Sequence, residues 1–201
     1  MRQTKGIFLM ATDFSAAHPD VTVCHGRPVD VSGRLSKEIA VYDLLDSLGI
    51  AYRRIDHEAI FTAEGCAWVK RLLGIPICKN LFLTDRCRTA YYLLLMPGEK
   101  RFSTREFSHL IGSSRLSFAP EEDLLRLLNL TPGSVSVFGL MNDRDNRVSL
   151  YIDDDVLAYE GFGCHPCINT TSLRFSTDDL LHRILPAMHH DFHTVHLTGL
   201  S

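Results

Sequence analysis

No apolar run in this chain of 201 residues approaches the ~20 needed to span a bilayer. The most apolar stretch near the start, Gly6 to Ala11, is shorter than a secretory h-region, and no small-residue cleavage pattern follows it. These absences predict a cytoplasmic protein without a membrane partner. Neither sign of charge dominates: the formal net is −3, which argues against a general nucleic-acid coat. There is no internal repeat. There is also no G-x-S-x-G, no P-loop and no G-x-G-x-x-G, so nucleophilic triads and nucleotide-cofactor chemistry have no local support. What is present, 45% hydrophobic and 22% charged residues, excludes disorder, collagen, coiled coil and low-complexity polymer. The length fits one domain, or one domain plus an extension.

The six cysteines are spread without a framework, so a secreted disulfide scaffold is not expected and most should be small core residues. Cys164-His165-Pro166-Cys167 contains C-x-x-C, but Thr170 to Phe175 behind it alternates like a strand. A thioredoxin-type cysteine opens a helix instead. Zinc lacks a second ligand pair at finger spacing, and His57-Glu58 is not the H-x-E of zinc deaminases. The tail carries His189, His190, His193 and His196, which read more simply as strand-face and exposed histidines than as ligands. Neither metal nor cofactor is expected.

Residues 1–34 show little periodicity and read as an N-terminal extension with one short strand around Val21 to Cys24; residues 35–201 read as the domain. Ser36 can cap a helix ended by Gly49, and Thr62 a second ended by Gly74. Ala51 to Ile55 is a strand, and Lys79 to Thr84 with Thr89 to Met96 a hairpin. Ser103 and Glu106 form a capping box, Ser114 to Ala119 a strand, and Pro120 opens a leucine-rich helix. Val135 to Met141 and Val148 to Ile152 read as a second hairpin, Gly161 to Ile168 as a loop and Thr170 to Phe175 as a strand. A helix capped by Ser176 and Asp179 and a strand from His193 to Leu197 complete the chain. Strands and helices interleave without steady βαβ alternation, so the fold class is mixed α/β (α+β) with a mixed or antiparallel sheet.

Three local features could carry chemistry. Lys79 opens an apolar strand; such a lysine commonly snorkels to water, but it can also set a cation at a pocket mouth, with Asn80 adding a donor and an acceptor. Thr131-Pro132-Gly133-Ser134-Val135-Ser136 is an ordinary helix-to-strand turn, and also a way to aim several backbone amides at one point, as an oxyanion needs. Between Ala67 and Arg115, nine basic residues face three acidic ones. That local +6 leaves −9 for the remainder, as either a scattered surface or a polyanion patch.

Taken in order, six segments resemble the YbaK/ProX family of freestanding aminoacyl-tRNA deacylases. They are Lys79 to Leu83, Met96 to Arg101, Arg115 to Ala119, Pro132 to Ser136, Phe138 to Asp143 and His165 to Thr170, within a match from about Ser36 to Leu197. The pattern is most similar to the prolyl-tRNA editing branch, which removes alanine from proline tRNA. The resemblance implies the family fold, a central, mixed, partly barrel-like sheet surrounded by helices. It implies that Lys79 engages the terminal adenosine's phosphate region, that Gly133, Ser134, Val135 and Ser136 supply oxyanion amides, and that His165 shapes the aminoacyl pocket. Asn80, Phe61, Thr62, Val137, Asn169 and Arg115 fall to substrate binding.

The function implied is trans-editing, hydrolysis of a mischarged aminoacyl-tRNA ester without a protein nucleophile. The expected partners are the acceptor end of proline tRNA and prolyl-tRNA synthetase. The family's loop ends in proline where this chain has Val137, which loosens the loop unless packing compensates. That departure favours an alternative, a catalytically weak tRNA-binding or regulatory module of the same fold.

Overall fold

A computed structural model describes residues 22–59, 63–76 and 78–199. In chain order the strands and helices are β1 (Cys24–His25), α1 (Ser36–Ser47), β2 (Arg53–Asp56), α2 (Ala63–Leu73), β3 (Cys78–Asp85), β4 (Tyr91–Pro97), α3 (Thr104–Leu110), β5 (Leu116–Phe118), α4 (Glu121–Leu128), β6 (Val148–Asp153), α5 (Asp154–Leu157), β7 (Gly161–Cys164), β8 (Thr171–Ser176), α6 (Thr177–Asp179), α7 (Leu185–Ala187) and β9 (Phe192–Val195). A π-helical segment, Leu180–Ile184, joins α6 to α7.

The strands form two open sheets, a four-stranded one in the order β1-β2-β8-β7 and a five-stranded one in the order β5-β3-β4-β6-β9. The first is antiparallel throughout; in the second, β4–β6 and β6–β9 are parallel. This is the mixed α/β fold expected. The main core joins α1, α4 and residues of both sheets, among them Tyr42, Phe82, Phe138, Phe162 and Phe175. A second cluster, Leu83, Leu94, Met96 and Phe107, lies on the other face of the five-stranded sheet under α3.

Local chemistry accounts for most element ends. Gly49, Gly74 and Gly112 take positive φ just beyond α1, α2 and α3. Ser103 accepts from the Glu106 amide, but the Glu106 carboxylate turns away to the Thr198 amide and hydroxyl (2.7 and 2.6 Å). The expected capping box is therefore half formed, and its other half ties down the C-terminal tail. Ser36 does not cap α1: Leu35 holds the cap position without a side-chain bond, and Ser36 is already helical. The cap expected from Thr62 lies outside the described residues.

Two segments differ from the sequence expectation. Val135 to Met141 is not a strand; Val137–Asn142 is a 3-10 helix capped by Ser136, whose hydroxyl accepts from the Phe138 amide. The hairpin with β6 therefore does not form, and β6 enters parallel to β4. Gly161–Cys164, expected as loop, is β7, antiparallel to β8. It lies so close to the α2–β3 connection that a Cβ on Gly163 would stand 2.1 Å from Ile75 Cδ1, so any side chain there must displace the tip of Ile75.

Candidate active site

Side chains alternate along β3, so Lys79 and Asn80 leave it on opposite faces. Asn80 shares its face with Cys78 and Phe82 of the main core, Lys79 with Leu81 and Leu83 of the second cluster. The Lys79 ammonium donates to the Lys100 carbonyl at 2.8 Å. Asn80 Nδ2 donates to the Val135 carbonyl at 3.1 Å, while its Oδ1 is buried without a hydrogen-bond partner. A buried acceptor left open costs ~1–3 kcal/mol, so it calls for a donor from a ligand or water.

The turn after α4 is built by its own residues. Gly133 takes φ +84°, the Ser134 amide donates to the Thr131 carbonyl at 3.0 Å, and the Ser134 hydroxyl donates to that carbonyl at 2.9 Å. The Ser134 amide is thus spent on closing the turn. The amides of Gly133, Val135 and Ser136 donate no hydrogen bond to a described residue. Ser136 Oγ donates to the His165 carbonyl at 2.5 Å, which fastens the turn to the loop after β7. Val137, where the resembled family has proline, is fully buried in the core at 0% exposure, so packing holds this position.

His165 Nδ1 lies 2.9 Å from the Thr171 carbonyl. A carbonyl only accepts, so Nδ1 carries the proton and the neutral ring keeps a lone pair on Nε2. Burial lowers the pKa of His165, the Thr171 bond raises it, and nearby His57 lowers it further. The two rings stand 6.3 Å apart between centroids. His57 donates from Nδ1 to its neighbour's carbonyl at 2.7 Å, leaving Nε2, 2.9 Å from Ser172 Oγ, to accept. Burial lowers its pKa as well. Sequence reasoning missed His57 as a site residue. Only the antiparallel pairing of β2 with β8 carries it to Ser172 and His165, and no local pattern announces that pairing.

The remaining expected residues are distributed around this centre. Asn169 and Ser134 line a cavity of about 410 Å³ that also meets Arg34 and Lys37. Phe61 and Thr62 lie outside the described residues. Arg115 precedes β5, whose register with β3 begins at Asp85, some ~20 Å of strand from Lys79. The fold also divides the basic segment. Arg88 is paired with Glu122 and Asp123, and Lys100 with Asp153 and Asp155.

Cys164 and Cys167 lack the surroundings of a redox pair. Both are buried, which pushes Cys167 up to about 12 and Cys164 well above its ordinary value, the reverse of a reactive thiol. Of the tail histidines, His190 is buried and His189, His193 and His196 are exposed; among the described residues no group of three or more His, Cys, Asp or Glu could hold a metal ion. No helix among them is long and apolar enough to cross a membrane.

The model of the aminoacyl-tRNA editing domain family matches residues 57–182. The chain is 32% identical over 158 residues to the prolyl-tRNA editing protein ProX of Acetoanaerobium sticklandii, covering 79% of this chain and 96% of that one. It is 29% identical over 165 residues to prolyl-tRNA synthetase associated domain-containing protein 1 of Danio rerio, covering 81% and 85%. A crystal structure described as a candidate trans-editing enzyme for prolyl tRNA synthetase superposes with a TM-score of 0.59 at 18% identity, over 81% of this chain and 97% of the other.

Proposed function

The chain belongs to the aminoacyl-tRNA editing domain family, and from that premise we propose that it acts in trans on Ala-tRNA(Pro), hydrolysing the ester that joins alanine to the tRNA 3′ end. Prolyl-tRNA synthetase is the enzyme whose errors it would correct. A missing methylene is worth only ~1–3 kcal/mol at a synthetic site, and alanine lacks just two ring carbons of proline, which is why a second, smaller pocket is useful.

The observation that carries the reading is the fastening of three distant stretches to one another. Asn80 holds the Val135 carbonyl, Ser136 holds the His165 carbonyl, and the amides of Gly133, Val135 and Ser136 donate to no described residue beside them. An aminoacyl ester is already activated, so the chain has only to position it and stabilise the oxyanion. The three amides are the oxyanion donors; Ser134 shapes the turn. The open Asn80 Oδ1 accepts from the substrate's ammonium. The Nε2 lone pair of His165 lies on the wall of the aminoacyl pocket, and the substrate's own ribose hydroxyl assists the attacking water. Lys79, which leaves the opposite face of β3 with its ammonium on the Lys100 carbonyl, is assigned the adenosine phosphate on the family resemblance.

Lys79→Ala is expected to abolish deacylation of Ala-tRNA(Pro) while leaving the far-ultraviolet circular dichroism spectrum unchanged. Turnover near the wild-type rate would remove Lys79 from the site.

A further inference from the structure

Phe118 is the one aromatic among the large hydrophobic side chains that stand exposed in the described residues, at 60% of its surface. It ends β5, an edge strand, and its partner Leu83 fixes it on the sheet face that also carries Lys79. One side of its ring is supported by Phe102, with centroids 6.1 Å apart and planes at 59°. Phe102 in turn packs on buried Phe107 at 6.3 Å. The α3–β5 connection is fixed by the Leu116 amide, which donates to the Ser108 hydroxyl at 3.2 Å. The exposed ring therefore stands on a rigid base.

The surroundings are cationic. Arg101 precedes Phe102 and Arg105 follows it by three residues in the first turn of α3. Both are exposed, and neither forms an ion pair with a described residue. The carboxylates on the same stretch are Glu99, which is exposed, and half-buried Glu106, which is taken up by Thr198. Phe102 lies two residues beyond Lys100, whose carbonyl holds the Lys79 ammonium. Phe102 thus sits two residues along the chain from the carbonyl that holds Lys79, with the open ring of Phe118 against it.

An open aromatic face beside unpaired arginines is the combination that binds single-stranded nucleic acid, stacking for the base and charge for the phosphate. We propose that Phe118, backed by Phe102, stacks a nucleobase of the unpaired tRNA 3′ end, with Arg101 and Arg105 on the adjoining phosphates. This rests on the tRNA deacylase reading above and adds a base-binding subsite outside the ester pocket.

The test uses uncharged tRNA(Pro) carrying 2-aminopurine in place of each unpaired 3′ nucleobase in turn, titrated with wild-type protein, Phe118→Ala and Phe118→Tyr, alongside deacylation of Ala-tRNA(Pro). Stacking quenches 2-aminopurine. Wild type and Phe118→Tyr should quench at one position, and Phe118→Ala should lose the quench and bind about 10-fold more weakly. Its KM should rise by a similar factor with kcat unchanged. Equal quenching and affinity with Phe118→Ala, or no quench with wild type, overturns the platform, and normal wild-type deacylation then leaves the deacylase reading standing. Phe118-dependent quenching by a protein that deacylates nothing supports the platform and removes the deacylase reading instead.

Discussion

At His165 burial and hydrogen bonding pull in opposite directions. Loss of water disfavours the imidazolium and the Thr171 carbonyl favours it; burial is the larger effect, and the pKa falls below its ordinary value. His57 shifts the same way for the same leading reason. The folded chain thus resists protons that the unfolded chain accepts. The stability contributed by the two neutral rings is fully present above the unfolded value of about 6.5 and is lost as pH falls through the lowered folded values. Denaturant midpoints should drop between pH 7 and pH 5, and His165→Asn should flatten that drop. A midpoint independent of pH in the wild type would show that these rings are charged or solvated. Residue identity was the most legible part of this site, since Lys79, Asn80 and His165 stand in short patterns that resemble the family. Their geometry was not legible: nothing in the order of Lys79 and Asn80 says that one bonds Lys100 and the other Val135.

Most elements were read from local signals, and the two segments that departed were set by distant contacts. Helices α2, α3 and α4 follow from their periodicity, glycines and proline. The alternation of Val135 and Val137 looked like a strand until Ser136 capped a 3-10 turn and Asn80 took the carbonyl a strand partner would need. Gly163 was read as part of a loop because glycine is sparse in strands; its purpose is to let Ile75 approach. Gly163→Ala should cost ~1–3 kcal/mol by overpacking, read as a lower denaturant midpoint, and Ile75→Ala in the same chain should recover part of it. Additive losses would mean that the two positions do not touch. Val137 begins the 3-10 helix, and its amide is not a donor to any described residue, so proline there removes no such bond. Val137→Pro is expected to keep deacylation within about 3-fold of wild type; a sharp loss would show that the turn needs freedom at this position.

Over the whole molecule, folding sorts a basic stretch that looked uniform in sequence. Lys100 is locked by Asp153, which is fully buried. Asp153→Ala leaves that ammonium only the exposed Asp155 carboxylate and should lower the denaturant midpoint. Arg86 and Arg115 end up at the hairpin end of β3, whereas Arg101 follows the far end of β4 and Arg105 lies in the first turn of α3 behind it. If tRNA lies along that far end, Arg101→Ala and Arg105→Ala should each lower the slope of log K against log salt by about 1, and Arg86→Ala should leave it unchanged. Equal effects from all three would describe diffuse attraction. The most direct test of the account is hydrolysis by the purified wild-type protein of tRNA(Pro) charged in parallel with alanine, cysteine, serine and proline. The account predicts fast release of alanine with the proline ester spared; tRNA that is bound but never deacylated, whatever amino acid it carries, would contradict it.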